Sequence, residues 1–392
     1  MEAARRLNVE LTVASELPST FAAAQPAGLL TLDFAHPDRA AEQAGAFARE
    51  HPLGGVLGVD DDTAVITAAI AARLGLRGNP LPAALAARDK HRQRELLAGA
   101  GVPVPRFALY ESGADPAALA RQVEYPCVLK PLRLSASRGV IRADSPDEFT
   151  AAFRRLGAIL AQPDVAACGE PARRLLVEQF IPGPEVALEG LLVGGRLQVL
   201  ALFDKPDPLD GPFFEETIYV TPSRLPGAVQ QALAAAAQAA ATALGLVEGP
   251  VHAELRYNER GPWLIELAAR PIGGRCSAAL RFGTGLVSLE EVILRHALGM
   301  ELPALEREER ASGVMMIPVP RSGVLREVRG LELARAVPLV EDVAITAHRG
   351  QRLVPLPEGA RYPGFIFARG DRPEQVEAAL REAHRRLEFV LS

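Results

Sequence analysis

The stretch from His252 to Arg270 constrains the fold more than any other part of this 392-residue chain, because it predicts a β-hairpin of defined register. The Asn-Glu-Arg-Gly run that starts at Asn258 suits a type I turn followed by a left-handed glycine. That turn places Asn258 opposite Pro262 and Glu254 opposite Glu266. One face then carries a core set: Ala253, Leu255, Tyr257, Trp263, Ile265 and Leu267. The other carries a mixed set: His252, Glu254, Arg256, Leu264, Glu266 and Ala268.

In this register Glu254 and Glu266 are like charges about 5 Å apart on neighbouring strands, an arrangement that destabilises a sheet. A hard divalent cation reverses that effect, since Mg²⁺ typically binds one or two carboxylates together with substrate phosphates. An ordinary solvated sheet face is the alternative, and the hairpin alone leaves both open. The direct opposition of the two glutamates favours the metal site.

The basic residues also indicate chemistry, because only three of the 43 lysines and arginines are lysine: Lys90, Lys130 and Lys205. A compact ammonium differs from a planar guanidinium mainly where a point charge must reach a phosphate or a tight polar pocket. Lys130 ends an apolar strand that starts at Tyr125, and small residues follow from Ser135 to Gly139. Such residues let backbone N–H groups approach phosphate oxygens. Codon bias with solvated lysines is the alternative.

Composition narrows the class of protein. A net charge of −5 argues against nucleic acid or an anionic membrane as the main partner. Three separated cysteines without a Cys-x-x-Cys pair exclude a disulfide scaffold or zinc ribbon and predict a cytoplasmic location. The most apolar stretch, Ala232 to Leu246, contains Gln238 and predicts a packed helix. A dinucleotide oxidoreductase is disfavoured, because no Gly-x-Gly-x-x-Gly follows a strand.

Strands and helices alternate along the chain, which predicts a mixed α/β fold of two or three domains. In the N-terminal part we expect strands at Val9 to Ala14 and Gly55 to Val59, and helices at Asp62 to Leu74 and Ala83 to Gly99. Because such a unit normally opens with a strand, we expect one strand to be missing upstream of Met1, which the upstream coding DNA would test. The expected domains are 1–85, 86–300 (two lobes with a hinge near 178–186) and 301–392.

Two further segments have two interpretations each. Leu175 to Val186 predicts either a plain buried strand or a hinge, in which the backbone of Gln179 to Ile181 pairs with an adenine edge and Glu185 with ribose. Phe203 to Tyr219 is an acidic, proline-rich loop with two adjacent phenylalanines before Glu215 and Glu216. It can be interpreted as an exposed acidic loop or as a wall of a substrate pocket. The exposed loop is slightly more favoured for Glu215 than for Glu216.

Five motifs occur in the order and spacing of the ATP-grasp ligases, which the chain resembles from about residue 50 to its C-terminus. They are Arg88-Asp89-Lys90, Tyr125 to Pro131, VEQFIPGPEV at 177–186, His252-Ala253-Glu254, and Ile265 to Arg270. Each motif is loose, but five in sequence are hard to obtain by chance. Gly273-Gly274 and the segments 313–316 and 364–370 look most like the L-amino-acid ligase branch. The resemblance implies an α/β and α+β ATP-grasp fold, with an N-terminal Rossmann-like (pre-ATP-grasp) domain and a C-terminal α+β domain.

The resemblance also implies roles for particular residues. ATP would be held by Lys90, Lys130, Ser137, Gly139, Glu178, Gln179, Phe180, Ile181 and Glu185. The metal ligands would be Glu254 and Glu266. The catalytic residues would be Arg270, which steadies the transferred phosphoryl group, with Lys130 and Lys205. The substrate would contact Glu216, Tyr219, Arg270, Gly273 and Gly274. One departure from the pattern is Ala268, where many ATP-grasp enzymes carry an asparagine.

The function implied is an ATP-dependent carboxylate–amine ligase that joins amino acids through an acyl phosphate and releases ADP and phosphate. ATP and Mg²⁺, or Mn²⁺, are the implied cofactors. The expected partners are small-molecule substrates, without nucleic acid or membrane, and ligases of this fold are often dimers. Two alternatives remain open. One is an ATP-grasp carboxylase or ribonucleotide–amine ligase of the purine type, and the other is a non-catalytic nucleotide-binding protein.

Overall fold

The N-terminal part of the chain combines a short parallel sheet with helices, in a computed structural model that describes residues 1–18 and 27–392. Strands β1 and β2 pair in parallel. The elements are α1 (Glu2–Arg6), β1 (Val13–Ser15), β2 (Leu29–Thr31), α2 (Pro37–Ala48), α3 (Asp61–Leu74), α4 (Leu81–Arg88) and α5 (Lys90–Gly99). Apolar side chains of α2, α3 and β2 form a small core of their own.

Two expectations for this part are wrong. Residues 55–59 form no strand, although Val56 packs against the local core. The segment runs so close to α10 (Leu289–Ala297) that a Cβ on Gly55 would lie 3.2 Å from the carbonyl oxygen of Ala297. The single helix expected from Ala83 to Gly99 is two helices, because Asp89 is extended and its carboxylate caps the N-terminus of α5.

A four-stranded antiparallel sheet, in the order β3-β6-β4-β5, forms the first lobe of the central part. Helix α7 packs its apolar face on this sheet, around Phe149, Phe153 and Leu156. The elements are β3 (Phe107–Glu111), α6 (Pro116–Ala120), β4 (Cys127–Pro131), β5 (Ile141–Ala143), α7 (Pro146–Leu160), α8 (Pro163–Ala166) and β6 (Arg174–Gln179).

An eight-stranded sheet forms the largest layer, in the order β11-β10-β7-β8-β9-β12-β16-β14. The elements from here to residue 300 are β7 (Glu185–Val193), β8 (Arg196–Asp204), β9 (Ile218–Thr221), α9 (Gly227–Leu244), β10 (Gly249–Asn258), β11 (Gly261–Ala268) and α10. Those after residue 300 are β12 (Ala311–Met316), β13 (Gly323–Arg329), α11 (Leu331–Arg335), β14 (Val340–Ile345), β15 (Arg352–Leu353), β16 (Gly364–Gly370), α12 (Pro373–Arg385) and β17 (Glu388–Leu391). Strands β13, β15 and β17 form a separate antiparallel sheet in the order β15-β13-β17. Because one sheet continues across residue 300, the domain bounds stay a prediction.

Both faces of the large sheet are covered, which explains why β7 is apolar almost throughout. Val186 and Leu188 point to the core that contains α9, whereas Ala187 and Leu191 point to the core that contains α10. The alanine-rich helix α9 is therefore a packed helix, as expected, and Gln238 bonds the backbone of Gly195 and Leu197. Among the described residues, no helix combines the length and apolarity needed to cross a membrane.

Candidate active site

A cavity of about 660 Å³ brings together residues from the N-terminal helices, both sheets and the C-terminal segment. That volume suits a cofactor-sized ligand. Fifteen of the seventeen site residues expected from the sequence line it: Lys90, Lys130, Ser137, Glu178, Gln179, Phe180, Ile181, Glu185, Glu216, Tyr219, Glu254, Glu266, Arg270, Gly273 and Gly274. Gly139 and Lys205 are not in its wall.

The hairpin β10–β11 places Glu254 opposite Glu266, as expected, but by a different register. Asn258 pairs with Gly261 and not with Pro262, so the turn is one residue shorter than predicted. An extra residue on β11, Ile265, forms a β-bulge that restores the pairing of the two glutamates. The shorter turn and the bulge therefore compensate each other, and Glu254 and Glu266 are paired as expected.

The bulge also reverses the faces assigned to three residues of β11. Leu264, expected on the mixed face, packs in the core, and Ile265, expected in the core, lines the cavity. Trp263, also expected in the core set, pairs with Arg256 on the cavity face. A bulge shifts the alternation of side chains by one residue, which is the physical reason for the error.

A group of charged residues with an excess of cations, here called the cationic cluster, lies along β4, β6 and β11. Its members are Asp61, Lys90, Arg94, Lys130, Glu178, Glu266 and Arg270. The Lys90 ammonium lies 2.7 Å from Glu266 Oε1 and donates to the carbonyl oxygen of Leu134 at 3.0 Å. The Arg270 guanidinium binds Asp61 through Nε and Nη2, at 2.8 and 2.9 Å.

Glu178 is the buried centre of the same cluster. Its carboxylate accepts from Arg94 Nε at 2.6 Å and lies 2.5 Å from Lys130 Nζ. Burial alone would raise the pKa of Glu178, but Arg94 and Lys130 hold it below its ordinary value. Lys130 is therefore fixed at the cavity wall by a carboxylate that stays ionised. Arg94 was not identified from the sequence, because nothing near it in the chain marks its partner.

The hinge segment lines the cavity, but several of its backbone groups are already engaged. The N–H groups of Gln179 and Phe180 donate to the carbonyl oxygens of Arg106 and Pro126, at 2.8 and 3.0 Å. The carbonyl oxygen of Ile181 accepts from Arg256 Nη1 at 2.7 Å. Pairing with an adenine edge must use other groups of this segment, and it stays a prediction.

A second group, here called the acidic cluster, consists of Glu185, Lys205, Glu216, Glu254 and Arg256. Lys205 Nζ lies 2.8 Å from Glu185 Oε1 and 3.4 Å from Glu254 Oε1, and it also bonds Glu216. The other oxygen of Glu185 accepts from Arg256 Nε at 2.8 Å. Lys205 is thus buried behind the wall and meets the site through carboxylates that line it. Three carboxylates raise its pKa well above the ordinary value, although burial acts in the opposite direction.

The pKa values of Glu216 and Glu254 are shifted in opposite directions. Burial and the neighbouring Glu254 carboxylate raise the pKa of Glu216 to about 7. Burial acts in the same direction on Glu254, but Lys205 and His252 hold its pKa well below the ordinary value. The Tyr219 hydroxyl donates to Glu216 Oε1 at 2.8 Å. Burial also raises the pKa of the adjacent Glu215.

His252 lines the cavity and forms a pair with the fully buried Glu189, at 3.3 Å. Glu189 also accepts from the N–H of Ile272, just before Gly273. Burial alone would lower the pKa of His252, but the carboxylates of Glu189, at 3.3 Å, and Glu254, at 3.7 Å, raise it to about 9. His252 is therefore protonated at neutral pH and does not accept a proton from an amine in this state.

The small-residue loop after β4 differs from expectation at one position. Ala136 and Ser137 adopt φ values of 53° and 54°, and Ser137 lines the cavity. Gly139 does not, because its N–H donates to the carbonyl oxygen of Pro357 at 2.8 Å. Its φ is 76°, and a Cβ there would lie 2.9 Å from Leu156 Cδ1. This close packing explains the glycine, and its contact with phosphate stays a prediction.

Of the two glycines expected to contact substrate, Gly274 lies against residues of the C-terminal segment, whereas a Cβ on Gly273 would meet no atom within 4 Å. A Cβ on Gly274 would lie 3.4 Å from Phe365 Cε1 and 3.5 Å from Met316 Sδ, and both side chains line the cavity. Tyr362 also lines the cavity, and its buried hydroxyl has no hydrogen-bond partner among the described residues. Met316 and Phe365 lie in strands β12 and β16, in the two segments that resemble the ligase branch, but the sequence did not assign these two residues or Tyr362 to the site.

Glu254 and Glu266 fit the requirements of Mg²⁺. They supply hard oxygen donors on directly paired positions, with side chains 21% and 31% exposed toward the cavity. Oxygens of Glu185, Glu216 and Glu254 also lie within 4.8 Å of one another, but the Lys205 ammonium already pairs with all three carboxylates. Ala268, which lines the cavity next to Glu266, adds no side-chain ligand.

Comparisons with known proteins identify the family. Family models described as ATP-grasp N-terminal domain, ATP-grasp domain and L-amino acid ligase C-terminal domain 2 match residues 1–78, 123–279 and 315–392. The crystal structure of an L-amino acid ligase from Bacillus licheniformis is 30% identical, with a TM-score of 0.85, over all of this chain and 95% of that one.

More distant relatives are consistent with this. The alanine–anticapsin ligase of Bacillus subtilis (strain 168) is 28% identical over 59% of this chain and 52% of that protein, so the chain spans about half its length. N5-carboxyaminoimidazole ribonucleotide synthetase from Thermotoga maritima is 17% identical, with a TM-score of 0.67, over 100% of this chain and 95% of that one, which shows the fold alone. The expected α/β and α+β fold class is confirmed, and the chain belongs to the ATP-grasp ligases, in their L-amino acid ligase branch.

Proposed function

We propose that this ATP-grasp ligase joins the carboxylate of one amino acid to the amine of another, with ATP converted to ADP and phosphate. The observation that carries the proposal is that residues of both the cationic cluster and the acidic cluster line one cavity. Phosphate oxygens require the first, and a divalent cation or a substrate ammonium requires the second. Glu254 and Glu266 lie at the junction of the two clusters, because they are paired across β10 and β11.

The reaction transfers one phosphoryl group and then forms one amide bond. A carboxylate oxygen of the first substrate forms a bond to the γ-phosphorus while the bond to the leaving ADP oxygen breaks. The amine nitrogen of the second substrate then bonds the acyl carbon. The carbon–oxygen bond to phosphate breaks, and the amine loses a proton. Neither step requires a covalent bond to the protein.

The residues of the chain contribute position and charge. Lys90 and Lys130 hold the phosphates, and Arg270 holds the phosphoryl group in transfer. Glu254 and Glu266 would hold Mg²⁺, which when bound neutralises phosphate charge as a Lewis acid. Glu216 and Tyr219 accept the ammonium of the amino acid, beside an apolar surface formed by Met316 and Phe365.

The proposal is tested by incubating the protein with Mg²⁺-ATP and pools of amino acids, followed by measurement of ADP, phosphate and new masses. We expect ADP, phosphate and a dipeptide in equal amounts. ADP formation that requires bicarbonate would support a carboxylase instead. Nucleotide binding without turnover in any pool would support a non-catalytic role. The residue that favours this alternative is Ala268, which stands where many ATP-grasp enzymes carry an asparagine.

A further inference from the structure

Asp61, the first residue of α3, is joined to Arg270 across 209 residues of sequence. The two side chains form a bidentate pair, with Nε to Oδ1 at 2.8 Å and Nη2 to Oδ2 at 2.9 Å. Both residues line the cavity, with side chains only 22% and 14% exposed. A bidentate carboxylate fixes the plane of a guanidinium as well as its position. The pair therefore orients the arginine, in addition to neutralising it.

The three consecutive aspartates at the start of α3 have different partners. Asp60 is the N-cap, since its Oδ1 accepts from the Thr63 N–H at 2.8 Å. Asp62 forms an ion pair with Arg88, with its own side chain 78% exposed. Asp60 and Asp61 both line the cavity, but the Asp60 carboxylate is engaged as the cap, and Asp61 is the one that bonds Arg270. Because Asp60 anchors the first turn, the direction of the Asp61 side chain is set by the helix.

The remaining bonds of Arg270 show what the pair leaves free. A guanidinium has five N–H donors. Asp61 takes two of them, and the carbonyl oxygen of Pro271 takes one from Nη1 at 3.0 Å. Within residues 1–18 and 27–392, no further acceptor bonds Arg270, so two donors are left for a ligand in the cavity.

We propose that Asp61 is a positioning residue, which holds Arg270 in the orientation that binds the transferred phosphoryl group. The inference rests on the proposed function. It makes the N-terminal segment part of the active site, since the ATP-grasp lobes alone would leave Arg270 without this constraint. Burial alone would raise the pKa of Asp61, but Arg270 holds it below the ordinary value, so the carboxylate is charged at neutral pH.

The test compares Asp61→Asn and Asp61→Glu with the matched control Asp62→Asn, which alters the neighbouring surface aspartate. Titration calorimetry measures the affinity for Mg²⁺-ADP, alone and with aluminium fluoride, a mimic of the phosphoryl group in transfer. We expect Asp61→Asn to weaken binding of the mimic about 10- to 100-fold while binding of Mg²⁺-ADP is unchanged, because misorientation affects only the transferred group. In turnover, kcat should fall by a similar factor while KM for ATP stays constant.

Asp61→Glu keeps the charge but displaces the guanidinium, so it should recover only part of the affinity for the mimic that Asp61→Asn loses. It also provides a second variant if Asp61→Asn does not fold. Equal weakening of Mg²⁺-ADP and of the mimic, or an equal loss in Asp62→Asn, would show a merely structural role and overturn the inference. Failure of the wild-type protein to bind Mg²⁺-ADP would overturn the proposed function and the inference together. Normal wild-type binding with unchanged Asp61 variants would overturn the inference alone.

Discussion

The two charged clusters of the cavity differ in the sign of their imbalance. In the cationic cluster four cations face three carboxylates, and in the acidic cluster two cations face three carboxylates. With all carboxylates ionised, the first has one positive charge in excess and the second one negative charge. A nucleotide phosphate suits the first, and a divalent cation or an ammonium suits the second.

In both clusters, lysines of the chain compensate the charge of the carboxylates. Lys90 pairs with Glu266, and Lys205 pairs with Glu254, so each proposed metal ligand is neutralised by a lysine of the chain. Buried or half-buried carboxylates without such partners would be costly. Binding of Mg²⁺-ATP would then exchange partners, since phosphates can take Lys90 while the cation takes Glu266.

The largest effect is expected at the junction of the clusters. Glu254→Gln and Glu266→Gln should each lower turnover about 1000-fold, because a ligand of the cation is lost in a preorganised site. The fold should be largely preserved, since the hairpin loses a repulsion between paired positions. Measurements of ADP release and thermal unfolding check this. Glu259→Gln, at the exposed tip of the same hairpin, is the matched control, and near-normal activity of Glu254→Gln would refute the metal assignment.

A second variant removes Lys205, the lysine that pairs with all three carboxylates of the acidic cluster. Lys205→Met leaves three carboxylates around a vacant position and should lower the free energy of unfolding by about 3 kcal/mol. Urea unfolding measures this. The double variant Lys205→Met/Glu216→Gln should regain part of the loss, because one carboxylate is then neutral. Additive destabilisation in the double variant would contradict the account of a charge cluster.

A smaller effect is expected where charge is kept and shape is changed. Lys130→Arg should lower kcat on the order of 10-fold, because a planar fork does not occupy the position of a compact ammonium. Steady-state kinetics with saturating ATP provide the measurement. Arg173→Lys, in an exposed pair with Glu170, is the reverse exchange at the surface and should change nothing. Wild-type kinetics of Lys130→Arg would return that lysine to a structural role.

The smallest effect concerns pH. The pKa of His252 is raised from 6.5 to about 9, so its contribution to stability is fully present below pH 6.5 and is lost as pH rises through about 9. Between pH 7 and pH 8 the free energy of unfolding should therefore fall by about 1 kcal/mol from this residue. His252→Gln should show a flatter profile over this range in urea unfolding. Identical profiles for the variant and the wild-type protein would show that His252 is not paired as described.

Local sequence patterns predicted much of the fold and most of the residues that line the site. They did not predict contacts between segments that are distant in the sequence. The pairing of Glu254 with Glu266 was predictable from alternation and turn chemistry. The bulge at Ile265 was not predicted, because the expected three-residue turn pairs the same two glutamates without it. Lys205 was expected to face the site, but it lies behind the cavity wall, where it pairs with carboxylates from three different segments. Such partners become visible only when the strands are placed side by side.

The N-terminal part shows the same limit. Its helices were identified within about one or two residues, except where Asp89 divides one helix into two. The pair of Asp61 and Arg270 was not predicted, because 209 residues separate its members and an aspartate at a helix start has a sufficient local explanation. The cytoplasmic location, the homodimer and the upstream strand stay predictions.

The central claim is that the substrate carboxylate attacks the γ-phosphorus, and its most direct test traces a carboxylate oxygen into the released phosphate. The wild-type protein is incubated with Mg²⁺-ATP and amino acids whose carboxylate carries ¹⁸O, and the released phosphate is analysed by mass spectrometry. If the carboxylate attacks the γ-phosphorus to form an acyl phosphate, each phosphate released with a dipeptide carries one ¹⁸O atom. Dipeptide formation with unlabelled phosphate would contradict the mechanism derived from the two clusters.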